Sequence, residues 1–247
     1  MPRIDRIAPS QRPAGRPSGT QRWRDLFFLH WAIPAERIAA LVPAGMTLDL
    51  WQGQAYVGAV PFRMEGVRPN WLPRALAMNF LETNLRTYVV GGDEPGVLFF
   101  SLEASSWLAV QAARRGWGLP YHHAAMRSHR SGDRIAYAST RRRGNAHFTL
   151  DATIGETLGP SAPGTLEHFL LERYLLFTSW RGRLWRGQVH HVPYPAQRAN
   201  VHAIATTLPE AAGLPPVAGP PIAHYAAGVD VEVFGPTSLS RPATPSA

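Results

Sequence analysis

Residues 80–127 read FLETNLRTYVVGGDEPGVLFFSLEASSWLAVQAARRGWGLPYHHAAMR, and the change of period inside them decides the fold. Residues 86–90 and 97–102 are β-prone runs on either side of a turn-forming segment, 91–96, which predicts a hairpin with a longer loop. From Glu103 the period becomes helical. Trp107, Leu108, Gln111 and Arg115 recur at that spacing, with alanine at 104, 109, 112 and 113. Gly116 and Gly118 stop the helix, and Pro120 follows. Arg114 and Arg115 fall in the last turn, where cations complement the helix dipole. They serve either that role alone or as an anion-facing pair at the mouth of a pocket.

Just before the hairpin, Glu82 stands in an apolar setting with Asn84 and Arg86 beyond it. Alternation along a strand puts these three side chains on one face. Two readings follow: a polar row directed into a site, or a structural Glu82–Arg86 pair within the strand.

Working outward, residues 24–33 (RDLFFLHWAI) read as a buried strand, and 34–42 as a short helix opened by Pro34. Residues 46–50 and 54–64 read as strands joined across Trp51, Gln52 and Gly53, and Pro61 places the second at an edge or a bulge. Residues 67–77 form an apolar loop suited to a plug or a lid. Residues 135–141 and 147–154 predict a hairpin whose arginine run, 141–143, is read as a solvated end rather than an anion site. Thr165 is a helix N-cap, with one apolar face continuing to Phe177. Strands at 184–192, 199–206 and 223–234 and a loop at 209–220 complete the chain. One domain over 22–236 is expected between disordered tails at 1–21 and 237–247.

At 247 residues with 45% hydrophobic content, the chain can build a sizeable core. It has no cysteine, which removes disulfides, thiolate catalysis and cysteine-ligated metals. The formal charge is +8, yet the arginines are scattered or lie near the N-terminus, so no specific nucleic-acid partner is expected. No apolar run is long enough for a signal or a membrane span, so a soluble cytoplasmic protein is expected. His122-His123 and His190-His191 are adjacent pairs, whose members point to opposite faces of a strand, and no metal site is expected. Trp31, Trp51, Trp107, Trp117 and Trp180 are read as core. The sequence leaves open whether the chain forms a homo-oligomer.

The segments FLETNLRTYV, GVLFFSLEASSWLAVQAARRGWGLPY and LLERYLLFTSWRGRLWRGQVHHVPYP resemble the YqjF-like family, a group of unknown function. That family is distantly similar to acetoacetate decarboxylase. The resemblance implies a mainly β, α+β fold, an antiparallel β-barrel flanked by two or three helices. The decarboxylase carries an adjacent lysine pair before a Gly-aromatic-Pro turn. The similar place here reads Arg114-Arg115-Gly116-Trp117-Gly118-Leu119-Pro120, and all 25 Lys/Arg positions of the chain are arginine. A guanidinium stays protonated and cannot form a Schiff base, whereas the decarboxylase's lysine is activated by the cation beside it. In the resemblance Glu82 matches a pocket glutamate and Arg24 a pocket arginine.

The expected function is a cofactor-independent barrel for a small organic acid. Glu82 would be its acid–base group, and Arg24, Arg86, Arg114 and Arg115 would bind the carboxylate. Lyase, hydratase or tautomerase chemistry fits such a set without proving any reaction. The alternative is a non-catalytic ligand-binding or interaction scaffold.

Overall fold

The structure, a computed structural model, describes residues 4–239. In chain order the elements are β1 (Gly19–Ile33), α1 (Ala35–Ala39), β2 (Met46–Leu48), β3 (Ala55–Pro69), β4 (Met78–Gly91), β5 (Glu94–Ala104) and α2 (Trp107–Trp117). There follow β6 (Tyr121–Ser131), β7 (Arg134–Arg141), β8 (His147–Gly159), α3 (Leu166–Leu171), β9 (Leu175–Trp180), β10 (Arg183–His190), β11 (Ala196–Thr206), α4 (Leu208–Ala211) and β12 (Ile222–Ser238). The chain is thus mainly β with a few short helices, as expected.

All twelve strands join one sheet, which closes on itself twice. Pairing of β4 with β5 completes a ring β5-β6-β7-β8-β11-β12-β1-β3-β4. Pairing of β10 with β12 completes a second, β12-β1-β3-β4-β5-β9-β10. The two rings share β12, β1, β3, β4 and β5, so those strands are covered on both faces. Their alternation therefore sends successive residues into different cores. Phe27, Leu29, Val57, Ala59 and Leu85 pack with Ile135, Phe148 and Leu150 in the first ring. Leu26, Phe28, Val60, Phe62 and Phe80 belong to the second, with Val229 and Val231. This is why these strands read as continuous apolar runs rather than as alternating ones.

A bulge sets that parity on β1. The register with β3 slips between Arg24 and Leu29, and Asp25 takes a positive φ of 52°. Trp23 and Leu26 thereby reach the same core although they are three residues apart. Pro61 lies opposite this slip, where no ladder partner on β1 is lost. It marks a bulge in an interior strand, not an edge.

Several expectations change. The β4–β5 turn is only Gly92-Asp93, with Gly91 paired to Glu94, because Gly92 supplies the positive φ (64°) of a tight turn. The strands expected at 46–50 and 54–64 are present with other bounds, the first ending at Leu48 and the second running on to Pro69; β2 lies on β4, and β3 lies between β1 and β4. Thr165 does cap α3, accepting from the His168 N–H at 3.2 Å, but that helix ends at Leu171. Residues 175–180 are strand β9 instead, with Leu175 and Phe177 buried beside Met46, Val89 and Leu98. Tertiary packing there overrides the helical spacing. Trp107 does not join the core, for it is 55% exposed.

The ends also depart from the expectation. Strand β1 already begins at Gly19, Pro9 is buried, and Arg6 and Arg12 form ion pairs with Asp49 and Glu232. At the other end β12 continues to Ser238; the remainder of the expected C-terminal tail, from 240 on, lies outside the described residues.

Candidate functional site

The second ring encloses a cavity of about 860 Å³. Its walls are aromatic: Trp23, Phe28, Phe62, Phe80, Phe99 and Trp117. Helix α2 covers one side, and it turns Ala109, Ala112, Ala113 and Gly116 inward. Those small side chains leave the room that larger ones would fill. The helix is held at both ends, by the Ser106 hydroxyl accepting from the Ala109 N–H and by Gly118 in the left-handed conformation. Val67, Arg68, Pro69, Asn70 and Trp71, in and just after the end of β3, also line the cavity, and Trp71 is 81% exposed.

Strand β4 supplies the polar row. Glu82, Asn84 and Arg86 all line the cavity and are 3%, 6% and 7% exposed. The Tyr121 hydroxyl donates to Glu82 Oε2 at 2.7 Å. Burial raises the Glu82 carboxyl from its ordinary 4.5 to about 8; the Tyr121 hydrogen bond works against that rise, and the Glu103 charge adds to it. At neutral pH Glu82 is therefore a carboxylic acid. The Tyr121 hydroxyl, buried against it, is pushed well up as well, again mainly by burial.

Arg86 does not pair with Glu82. Their Cα atoms lie about 13 Å apart along the strand, and no ion pair of Arg86 occurs among the described residues. Its Nη2 donates to the Leu170 carbonyl at 3.1 Å, and its Nε has no partner among the described residues. The same holds for Asn84 Oδ1. The guanidinium lies against the faces of Phe28 and Tyr88. A second arginine, Arg173, also lines the cavity but is neutralised: its Nη1 meets Asp49 Oδ2 at 2.8 Å, and Arg6 pairs with the same carboxylate. Behind Arg86, the Tyr88 hydroxyl donates to Leu170 O at 2.7 Å and contacts His30 Nε2 at 2.8 Å. Burial and the Arg86 charge hold His30 well below its ordinary range, so it stays neutral.

The other expected site residues lie elsewhere. Arg24 is turned away from the cavity by the bulge and binds Asp230 at 2.5 Å and the Val229 carbonyl at 2.9 Å. Arg114 donates from Nε to the Tyr121 carbonyl at 2.6 Å, outside the cavity. Arg115 is exposed and makes no ion pair or hydrogen bond among the described residues. The convergent set is thus Glu82, Asn84 and Arg86 with Tyr121, Tyr174, Tyr194 and Arg173. Nothing local in the sequence distinguishes the last four; only the closure of the ring brings them to the row. Among the described residues, no cluster of three or more His, Cys, Asp or Glu side chains could hold a metal.

The family model of an uncharacterized conserved protein, DUF2071, matches residues 20–230. The chain belongs to this family. It is 38% identical over 214 residues to the uncharacterized protein YqjF of Bacillus subtilis strain 168, covering 85% of this chain and 88% of that protein. Solved structures share the fold at low identity. The enduracididine biosynthesis enzyme MppR, complexed with pyruvate, superposes with a TM-score of 0.64 at 13% identity over 93% of each chain. Acetoacetate decarboxylase from Legionella pneumophila superposes with a TM-score of 0.62 at 14% identity, again over 93% of each chain. An acetoacetate decarboxylase-like enzyme from Sphingomonas wittichii RW1 gives 0.60 at 14% identity, over 91% of this chain and 94% of that one. The fold is thus acetoacetate-decarboxylase-like. No helix among the described residues is long and apolar enough to cross a membrane.

Proposed function

We propose that the cavity binds an organic acid and that Glu82 moves a proton on it, without Schiff-base chemistry. The observation that carries this reading is Arg86: a guanidinium 7% exposed, facing an apolar cavity, with no carboxylate of its own among the described residues. A buried cation is costly unless paired, and a ligand carboxylate is the partner that the site is shaped to take. Asn84, with an unpartnered amide oxygen, adds a second polar contact on the same strand face. Glu82, protonated at neutral pH and held by Tyr121, can donate to an oxygen that gains negative charge in the reaction. The carboxylate so formed can take a proton back as the oxygen's charge collapses, and this donation and return at oxygen assists lyase, hydratase and tautomerase reactions alike. The chain contains no lysine, so no side-chain amine is available for an imine. The pyruvate bound to MppR, a protein of the same fold, agrees with an acid as ligand. The cavity of about 860 Å³ leaves room for an acid carrying a substantial apolar body.

A thermal-shift screen of oxo, hydroxy and enoic acids of increasing apolar size tests the proposal. At least one acid should raise the melting temperature of the wild type. Arg86→Met should weaken that acid about tenfold to a hundredfold, the worth of a charge-assisted hydrogen bond, while Arg24→Ala and Arg115→Ala leave it unchanged. Borohydride should trap no imine in the cavity. Retention of full affinity in Arg86→Met, or no response to any acid, would overturn the assignment.

A further inference from the structure

A second concavity, of about 270 Å³, opens along the side of α2 between Trp107 and Arg114 and has no part in the cavity chemistry. It is lined by Arg114, Arg141, Arg142 and Arg143, by His122 and His123, and by Trp107, Val110 and Gln111. Four arginines line it, and the nearest acidic partner is a single carboxylate outside the lining. That carboxylate, Glu103, is fully buried and engaged by Arg141. Arg114, Arg142 and Arg143 have no acidic partner among the described residues. Other surface arginines meet carboxylates, as Arg24 does Asp230, Arg134 Asp151 and Arg186 Glu94; those elsewhere without an acidic partner among the described residues, such as Arg127 and Arg183, are not gathered about a concavity.

The cluster is also held in shape. Arg114 Nε is fixed on the Tyr121 carbonyl at 2.6 Å, and Arg141 is held by Glu103. The Arg142 N–H bonds the His123 carbonyl at 2.9 Å, tying the β7–β8 turn to β6. Burial and the charges of Arg141 and Arg114 lower His122 to about 4, so at neutral pH it offers a ring N–H without adding charge. Guanidinium groups gathered about one concavity raise the local potential, and a compact multivalent anion lowers it most, since each phosphoryl oxygen can accept from a fork of N–H donors.

We propose that this concavity is a binding site for a small oligophosphate, of which pyrophosphate is the simplest member. Calorimetry with pyrophosphate, inorganic phosphate and a short single-stranded RNA, on the full chain at about 150 mM salt where exposed charges are screened beyond roughly 8 Å, tests it. Pyrophosphate should bind saturably at one site, more tightly than phosphate. Arg142→Ala with Arg143→Ala should weaken it at least tenfold, both positions being on an exposed turn where folding is unaffected. The pair Arg181→Ala with Arg183→Ala, which removes the same charge on another exposed turn, should leave it unchanged, as should Arg86→Met. Absence of saturable binding, equal weakening by the two double variants, or multisite binding of RNA in preference to pyrophosphate would each overturn the proposal.

Discussion

The two strand rings share five strands, yet one is filled by a large cluster of buried apolar side chains and the other encloses a cavity. On the first, the inward faces of β1, β3 and β4 meet Ile135, Phe148 and Leu150 across the ring, large side chains against large. On the second, the opposite faces of the same strands meet helix α2 through Ala109, Ala112, Ala113 and Gly116. The difference is one of side-chain volume on the facing wall, not of backbone pairing. It separates two duties: the filled ring supplies stability, and the hollow one can tolerate Glu82, Asn84 and Arg86 because their polar groups border open space and aromatic partners rather than a filled core. Burying such a row costs stability unless something else supplies it.

Core truncations should expose this contrast most strongly. Phe148 is fully buried in the filled ring, so Phe148→Ala leaves a new cavity and should cost about 3–5 kcal/mol. Phe80 borders existing space in the hollow ring, so Phe80→Ala should cost nearer the transfer term alone, roughly 1.5–3 kcal/mol. Urea denaturation of both variants measures the difference. Equal losses would mean that the second ring depends on tight packing as much as the first, and the division of duties would fail.

A smaller effect, and one that depends on pH, belongs to Glu82. Its carboxyl titrates near 4.5 when unfolded and near 8 when folded. The folded state therefore holds the proton more firmly. Below about 4.5 both states are protonated and Glu82 causes no penalty; between 4.5 and 8 a penalty accumulates, on the order of a few kcal/mol, and above 8 it is complete. Glu82→Gln keeps an acceptor for the Tyr121 hydroxyl and has no proton to lose. Relative to wild type, the variant should gain stability as pH rises from 5 to 9. A difference in melting temperature that is flat over this range would show that Glu82 is not held neutral by its surroundings.

How much of this was readable in advance follows from the range of each interaction. The β4–β5 hairpin, the α2 helix with its glycine stop, and the Thr165 cap are local, and the spacing of a few residues announced them. The polar row on β4 was legible too, since alternation alone aligns Glu82, Asn84 and Arg86. Arg24 was not: a positive φ at Asp25 reverses the alternation beside it, and no neighbouring residue type signals that bulge. Strand β9 was hidden because Leu170, Tyr174 and Phe177 also fit a helical face, and only pairing with β5 and β10 selects the strand. Arg114 and Arg115 were placed correctly at the helix end, but whether a helix end faces a cavity is set by the partner surface. Tyr121, Tyr194 and Arg173 come from three distant segments, so only the closure of the ring unites them.

The smallest expected effect concerns the segment before β1, which lies against β10, β12 and the stretch after β2. Gln188 on β10 donates to the Pro9 carbonyl at 2.9 Å, and Arg12 pairs with Glu232 on β12. Arg6 reaches Asp49, the carboxylate that also neutralises Arg173 beside the cavity. Because Asp49 keeps Arg173 at 2.8 Å when Arg6 is removed, Arg6→Ala leaves no buried charge uncompensated. Arg6 is itself 28% exposed, so the loss should be about 1 kcal/mol or less. Asp49→Ala, which strands Arg173, should instead cost several-fold more, about 3–5 kcal/mol. If Arg6→Ala matched that larger value in denaturant titrations, the N-terminal segment would be a structural wall of the hollow ring rather than a strap laid over it.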